Sequence, residues 1–187
     1  MQLLLRLAPF LGLPAEGAHD AVQLMDQAMA AGLALEGLGH VLAAACLYVA
    51  SQQDISALPL VASAFQASTQ QVMVAAAQVR QLLGKSGPAI SALRVLHLFL
   101  ERLGVEAQNP AASFMVCGEA LAVMERAALS PVFVGWPPSV VASAVLQASR
   151  LAAGLLPDWP STLAALTGYC QADDVFQSCF TAAVQLL

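Results

Sequence analysis

The sequence predicts an all-α chain made of two tandem five-helix repeats, and three observations lead to this prediction. Apolar residues recur at helical spacing along the whole chain, and no stretch alternates as a β-strand would. Residues 40–51 (HVLAAACLYVAS) and 139–149 (SVVASAVLQAS) are similar alanine-rich segments that both end in Ala-Ser, ninety-eight positions apart. Both segments lack charged residues, which is typical of a helix enclosed by other helices. We therefore expect repeats over residues 1–85 and 86–187, each with a central helix near 41–51 or 140–149.

Proline, glycine and capping residues mark the helix ends of the first repeat. Proline is favoured in the first turn of a helix and glycine just after the last, so Pro14 and Gly32 should bracket the first helix. Ser68 and, three residues later, Gln71 match a capping box. Gly84 should end the last helix and open a linker, GKSGP, at 84–88. Four of the five expected helices can be placed, over residues 14–31, 37–51, 57–66 and 69–83.

The second repeat follows the same plan. Gly168 should separate its last two helices, and Asp173 and Asp174 favour the start of the final one, because carboxylates stabilise the positive end of the helix dipole. The expected helices cover residues 89–103, 110–128, 139–153, 161–167 and 173–187.

The composition restricts the classes of function. The chain is 59% hydrophobic and only 10% charged, so apolar patches should stay exposed, and such patches commonly bind partners. Prolines or Gln and Ser clusters interrupt each long uncharged stretch, so no membrane span is expected. The first residues, MQLLLRLAPF, hold a basic residue inside the apolar run and so differ from a signal peptide. A net charge of −5 argues against strong unaided binding to nucleic acid, because that affinity comes largely from neutralising phosphates.

Cysteine and histidine form no recognisable site, and we expect neither a metal nor a cofactor. The cysteines lack the paired spacing of a zinc site and are expected to be reduced thiols: Cys46, Cys117, Cys170 and Cys179. Three of the four lie in apolar or helical contexts, where a cysteine behaves as a small hydrophobe. GKS at 84–86 resembles the end of a phosphate-binding loop but lacks the earlier glycine and the preceding strand. The three histidines are His19, His40 and His97. None has a nucleophile and an acid near it in a recognisable arrangement, so no catalytic residue is predicted.

A short helix, a tight break and a longer helix follow the central helix in both repeats. These pairs are 57–66 with 69–83, and 161–167 with 173–187. A pair of this kind can be a helix-turn-helix that reads the major groove of DNA. It can equally be the packing that closes a five-helix repeat, and the sequence alone leaves both interpretations open.

Two pairs of segments carry a resemblance to a known family. EGLGHVLAAACLYVASQQ with LPLVASAFQASTQQVMVAAAQVRQLL resembles the first cyclin-like repeat of transcription factor IIB. PPSVVASAVLQASRLAAG with WPSTLAALTGYCQADDVFQSCFTAAVQLL is similar to the second repeat. The resemblance implies a nuclear transcription initiation factor core, an adaptor that binds the TATA-binding protein on promoter DNA and helps recruit RNA polymerase. Cyclins and retinoblastoma-type pocket proteins share this fold.

Contact residues can be suggested on the basis of this resemblance. Arg80 and Lys85 are the only clustered cations at the repeat boundary and are candidates for an acidic partner surface or phosphates. The candidates facing DNA are Gln171, Gln177 and Ser178. The basic residues that the family places on its recognition elements are nearly absent, so DNA binding by the chain alone should be weak.

We expect a monomeric, non-enzymatic adaptor, with two other interpretations left open. One is a cyclin-type regulatory subunit that docks onto a protein kinase through the apolar groove of the first repeat. The other is an enzyme of a kind that the sequence does not reveal.

Overall fold

The chain is all-α and folds into two compact units, Met1–Ser91 and Ala92–Leu187. The computed structural model describes residues 2–33, 38–51, 56–86, 90–103 and 110–187. Within these ranges each unit holds five α-helices. Those of the first unit are α1 (Gln2–Leu7), α2 (Ala15–Ala30), α3 (Gly39–Ala50), α4 (Leu58–Ala64) and α5 (Thr69–Ser86). Those of the second are α6 (Ala92–Leu103), α7 (Pro110–Leu129), α8 (Pro138–Ala152), α9 (Ser161–Thr167) and α10 (Asp174–Val184). The predicted fold class is confirmed.

The first unit is built around α3. Eight consecutive residues of this helix, from Val41 to Tyr48, are buried, and α2, α4 and α5 pack against it. Ala44 and Ala45 are fully buried, and their small side chains let the neighbouring helices approach closely. The absence of charge along this segment is therefore explained by enclosure on all sides.

The second unit repeats this arrangement around α8. Ten consecutive residues, from Val140 to Ser149, are buried, and α6, α7 and α10 pack against the helix. An enclosed central helix is present in both units, as the internal similarity predicted, and it is the third of five in each. Where the two repeats divide stays a prediction, because residues 87–89 lie outside the described part of the chain.

One helix was not predicted, and several helix ends differ from the predictions: α6 begins at Ala92 and not at 89, and α10 ends at Val184 and not at 187. The leucine-rich N-terminal segment forms α1, which had not been predicted, and it buries Leu4 completely. Six residues are too few for a helical period to be recognised, and tertiary packing supplies the stability that so short a helix lacks. The prediction that Gly84 ends α5 is wrong, because the helix continues to Ser86. A glycine inside a helix costs about 1 kcal/mol relative to alanine, which an 18-residue helix can absorb.

Other end signals are confirmed. The backbone N–H of Ser68 donates to Oε1 of Gln71 at 2.9 Å, and the N–H of Gln71 donates to Oγ of Ser68 at 3.1 Å, so the capping box forms. Gly32 and Gly168 follow α2 and α9 with φ of 77° and 76°, values that favour glycine.

Candidate docking groove and helix-break-helix elements

A groove of about 340 Å³ lies between the start of α3 and the first half of α5. Its apolar part comes from α3 and α5, which pack against each other in the first unit, and its polar part comes mainly from glutamine amides. The lining residues are Leu38, Val41, Ser68, Gln70, Gln71, Val74, Ala75 and Gln78. None of these residues carries a charge. We call this site the α3–α5 groove.

The spacing of apolar residues on α5 explains why the groove is open. Val72, Ala76 and Val79 are buried and hold α5 against the rest of the first unit. Val74 points away from that core and leaves 57% of its surface exposed, and Met73 beside it is 56% exposed. The helix thus presents apolar surface on two sides, and the described residues of the first unit cover only one of them. Exposed apolar surface with a polar rim is typical of a protein interaction site.

The capping box also fixes one edge of the α3–α5 groove. Ser68 and Gln71 line the groove and exchange the two hydrogen bonds that start α5. Their side chains are therefore held in place before a partner arrives. Preorganisation of this kind lowers the entropy lost on binding.

The predicted cation pair of the first unit lies on α5, beyond the groove. Arg80 is exposed, two residues after the last groove residue, Gln78. Lys85 belongs to the same helix, and its side chain is outside the described part of the structure. Their part in binding stays a prediction.

The predicted DNA-facing residues of the second unit make local hydrogen bonds. Ser178 donates its hydroxyl to the carbonyl of Asp174 at 2.8 Å, one turn earlier in α10. Gln171 reaches Oδ1 of Asp158 at 3.5 Å, and Gln177 is half-buried. Their contact with DNA stays a prediction. No Lys or Arg occurs from residue 151 to 187, so phosphate contacts from this stretch would have to come from neutral donors.

Three aromatic residues that the sequence analysis did not single out hold the α9–α10 element together. The indole N–H of Trp159 donates to the carbonyl of Tyr169 at 3.1 Å, and the Trp159 and Phe176 ring centroids are 4.8 Å apart. Tyr169 stacks on Phe176 at 5.8 Å, and its hydroxyl bonds Oγ of Ser139 at the start of α8 at 2.8 Å. The break at Gly168 is therefore packed against the central helix. The sequence signal was a pair of aromatic residues, Trp159 and Tyr169, that flank α9 on its two sides.

The comparison with family models agrees with this geometry. Residues 96–187 match the model described as "Cyclin, C-terminal domain". The fold is cyclin-like. The match runs from α6 to the end of the chain, and so takes in α8 and the aromatic contacts around Gly168. A comparison with curated protein sequences gave no match.

Cyclin-fold domains are typically non-catalytic regulators. Burial raises the pKa of the Cys46 and Cys179 thiols to about 12, so both stay protonated at neutral pH. Across residues 2–33, 38–51, 56–86, 90–103 and 110–187 no three His, Cys, Asp or Glu side chains are grouped to hold a metal ion. Among the helices described, none is long and apolar enough to cross a membrane.

Proposed function

We propose that this chain is a non-catalytic regulatory subunit of the cyclin type that binds a protein kinase through the α3–α5 groove. The observation that carries the proposal is the match of residues 96–187 to the cyclin C-terminal domain, on a chain whose first unit repeats the same five-helix arrangement. This was the alternative in the sequence analysis. It now ranks first because the match is to a cyclin domain.

The chemistry of the α3–α5 groove supports a protein partner. Leu38, Val41, Val74 and Ala75 offer an apolar floor, and the glutamines around them can hydrogen-bond to backbone groups of an inserted helix or loop. Because the lining of the α3–α5 groove is uncharged, a partner side chain that binds in it needs no charge. The partner segment should therefore carry apolar anchors at helical or extended spacing, as interface hot spots do.

The transcription factor IIB interpretation remains the second candidate. It is favoured by the short helix, break and longer helix that follow the central helix in both units, as α4 with α5 and α9 with α10. Under that interpretation the chain would act in the nucleus and bind the TATA-binding protein on promoter DNA. The shortage of basic residues weighs against it, because the acidic residues outnumber Lys and Arg by 12 to 7.

A pair of matched variants tests the proposal. Val74, in the groove, and Val175, on α10, are 57% and 59% exposed, so Val74→Glu and Val175→Glu introduce the same charge at equally exposed helical sites. The purified chain and both variants are immobilised and incubated with extract of the source cells, and the retained proteins are identified by mass spectrometry. We expect a protein kinase catalytic subunit with the unaltered chain and with Val175→Glu, and its loss with Val74→Glu. Kinase binding by Val74→Glu should be lost because burying an unpaired carboxylate at an apolar contact costs roughly several kcal/mol.

Three results would contradict the proposal. Retention of the TATA-binding protein and RNA polymerase without a kinase would favour the second candidate. Equal retention of a kinase by both variants would exclude the α3–α5 groove as the binding site. Retention of no kinase by the unaltered chain, shown to be folded by circular dichroism, would reject the proposed function.

A further inference from the structure

The α3–α5 groove of the first unit corresponds to a place in the second unit that one of the chain's own side chains occupies. The ninety-eight-residue offset of the internal repeat aligns Val41, which lines the groove, with Ser139 on α8. The last helices correspond as well, because α5 packs on α3 and α10 packs on α8. Buried residues recur on both at one spacing: Val72, Ala75 and Val79 on α5, and Phe176, Cys179 and Ala183 on α10.

Tyr169 occupies this place in the second unit. Its hydroxyl lies 2.8 Å from Oγ of Ser139 at the start of α8, and its ring stacks on Phe176 of α10 with the centroids 5.8 Å apart. By the two alignments, Ser139 corresponds to Val41 and Phe176 corresponds to Val72. The tyrosine thus joins the start of the central helix to the start of the last helix. In the first unit the α3–α5 groove lies between the same two helix starts.

The residue that follows each break accounts for the difference between the units. Both breaks turn at a residue with left-handed backbone, Gln66 with φ of 54° and Gly168 with φ of 76°. The next residue is Tyr169 in the second unit but Ala67 in the first. Alanine has no ring to lay across the two helices, and Ala67 directly precedes Ser68, which lines the groove. The ring of the second unit therefore has no equivalent at this position of the first.

We propose that the α3–α5 groove binds a tyrosine side chain of the protein partner, in the place that Tyr169 takes in the second unit. The groove volume of about 340 Å³ is near the lower end of ligand pockets, roughly 300–1,000 Å³, and suits one or two side chains rather than a whole helix. Leu38, Val74 and Ala75 offer apolar contact to the ring, and the glutamine amides of the lining can bond its hydroxyl. The inference names the anchor of the partner and rests on the proposed function for the partner's identity.

Amino-acid probes test this inference on the isolated full chain. The probes are the N-acetyl amides of tyrosine, phenylalanine and leucine, and heteronuclear NMR spectra report which backbone amides shift as each probe is titrated. We expect the tyrosine probe to bind with a dissociation constant of roughly millimolar size, as suits so small a ligand. It should shift the amides of Val74 and Ala75 and leave that of Val175 on α10 unchanged. The phenylalanine probe lacks the hydroxyl and should bind roughly 2–10-fold more weakly, and the leucine probe more weakly still.

Exchange of the two break residues gives a matched pair of variants. Ala67→Tyr places a tyrosine where the second unit has one, so the chain should occupy its own groove and abolish measurable probe binding there. Ala165→Tyr adds the same side chain at an exposed position of α9 and should leave probe binding unchanged. Tyr169→Ala gives the second unit the alanine of the first and should create a second site for the tyrosine probe, with amide shifts at Ser139.

Three results would overturn the inference: binding of the leucine probe as tight as that of the tyrosine probe, unchanged probe binding by a folded Ala67→Tyr, and no second site in a folded Tyr169→Ala. Circular dichroism establishes that each variant is folded. No kinase enters these titrations, so they are separable from the test of the proposed function. A tyrosine site on a chain that retains no kinase would reject the proposed function alone. A kinase held through the groove, with no preference of the groove for tyrosine, would reject this inference alone.

Discussion

The side-chain amide of Gln147 donates a 2.9 Å hydrogen bond to Oδ2 of Asp158, joining the buried central helix α8 to the loop before α9. Arg150, one turn further along α8, donates from Nε to the backbone carbonyl of Asp158 at 3.2 Å. The first of these bonds gives the buried Gln147 amide a partner in a helix that also buries Ser143 and Ser149. Asp158 immediately precedes Trp159, whose indole N–H donates to the carbonyl of Tyr169 just after the break at Gly168.

Removing Asp158 should destabilise the second unit. Asp158→Ala leaves the buried amide of Gln147 without its partner, at a cost of about 1–3 kcal/mol. The double variant Q147L/D158A removes both polar partners and should recover part of that loss, because replacing both with apolar groups is close to neutral. Urea unfolding followed by tryptophan fluorescence measures the effect. Strict additivity of Gln147→Leu and Asp158→Ala would show that the bond contributes nothing.

The capping box should stabilise α5 and, through it, the α3–α5 groove. Ser68→Ala removes the hydroxyl that accepts from the N–H of Gln71, which typically costs about 1 kcal/mol. Ser63→Ala, at an exposed position within α4, is the control and should be within about 0.5 kcal/mol of the unaltered chain. The measurement is the urea midpoint of the first unit. Equal midpoints for the two variants would mean that the capping box adds no stability.

The two central helices should be equally intolerant of larger side chains. Ala44 and Ala142 are fully buried in α3 and α8, so Ala44→Leu and Ala142→Leu overpack their units by about 1–3 kcal/mol each. Ala77→Leu, at an exposed position of α5, should be nearly neutral. Thermal unfolding compares the three variants. A neutral Ala44→Leu would imply that α3 is not enclosed.

Asp26 should make the stability of the first unit depend on pH. Partial burial raises the pKa of this carboxyl above its ordinary value. The folded state therefore holds the proton more tightly than the unfolded state does, and stability is lost as pH rises through the folded pKa. Asp26→Asn should raise Tm at about pH 7, and the gain should shrink as pH falls towards about 4. Glu125→Gln, which removes an exposed negative charge, is the control. A gain from Asp26→Asn that does not change with pH would contradict the assignment.

The central helices and the capping box could be predicted because their signals are local. A run of residues without charge identifies α3 and α8, and the spacing of Ser68 and Gln71 identifies the start of α5. The end of α5 was wrongly predicted at Gly84 because the free-energy cost of a glycine inside a helix is small compared with the stability of a long helix. The α3–α5 groove could be named only as an apolar surface of the first repeat. Its lining combines residues that are thirty or more positions apart, such as Val41 and Val74, and no local pattern contains that information.

Photo-crosslinking from within the α3–α5 groove tests the central claim most directly. A photoreactive amino acid replaces Gln78, an exposed residue that lines the groove, or Gln185, an exposed residue at the end of α10, as the control. After irradiation in extract of the source cells, we predict that position 78 is joined to a protein kinase catalytic subunit and position 185 is not. Crosslinks from position 78 to the TATA-binding protein, or a kinase joined only to position 185, would contradict a kinase-docking groove in the first unit.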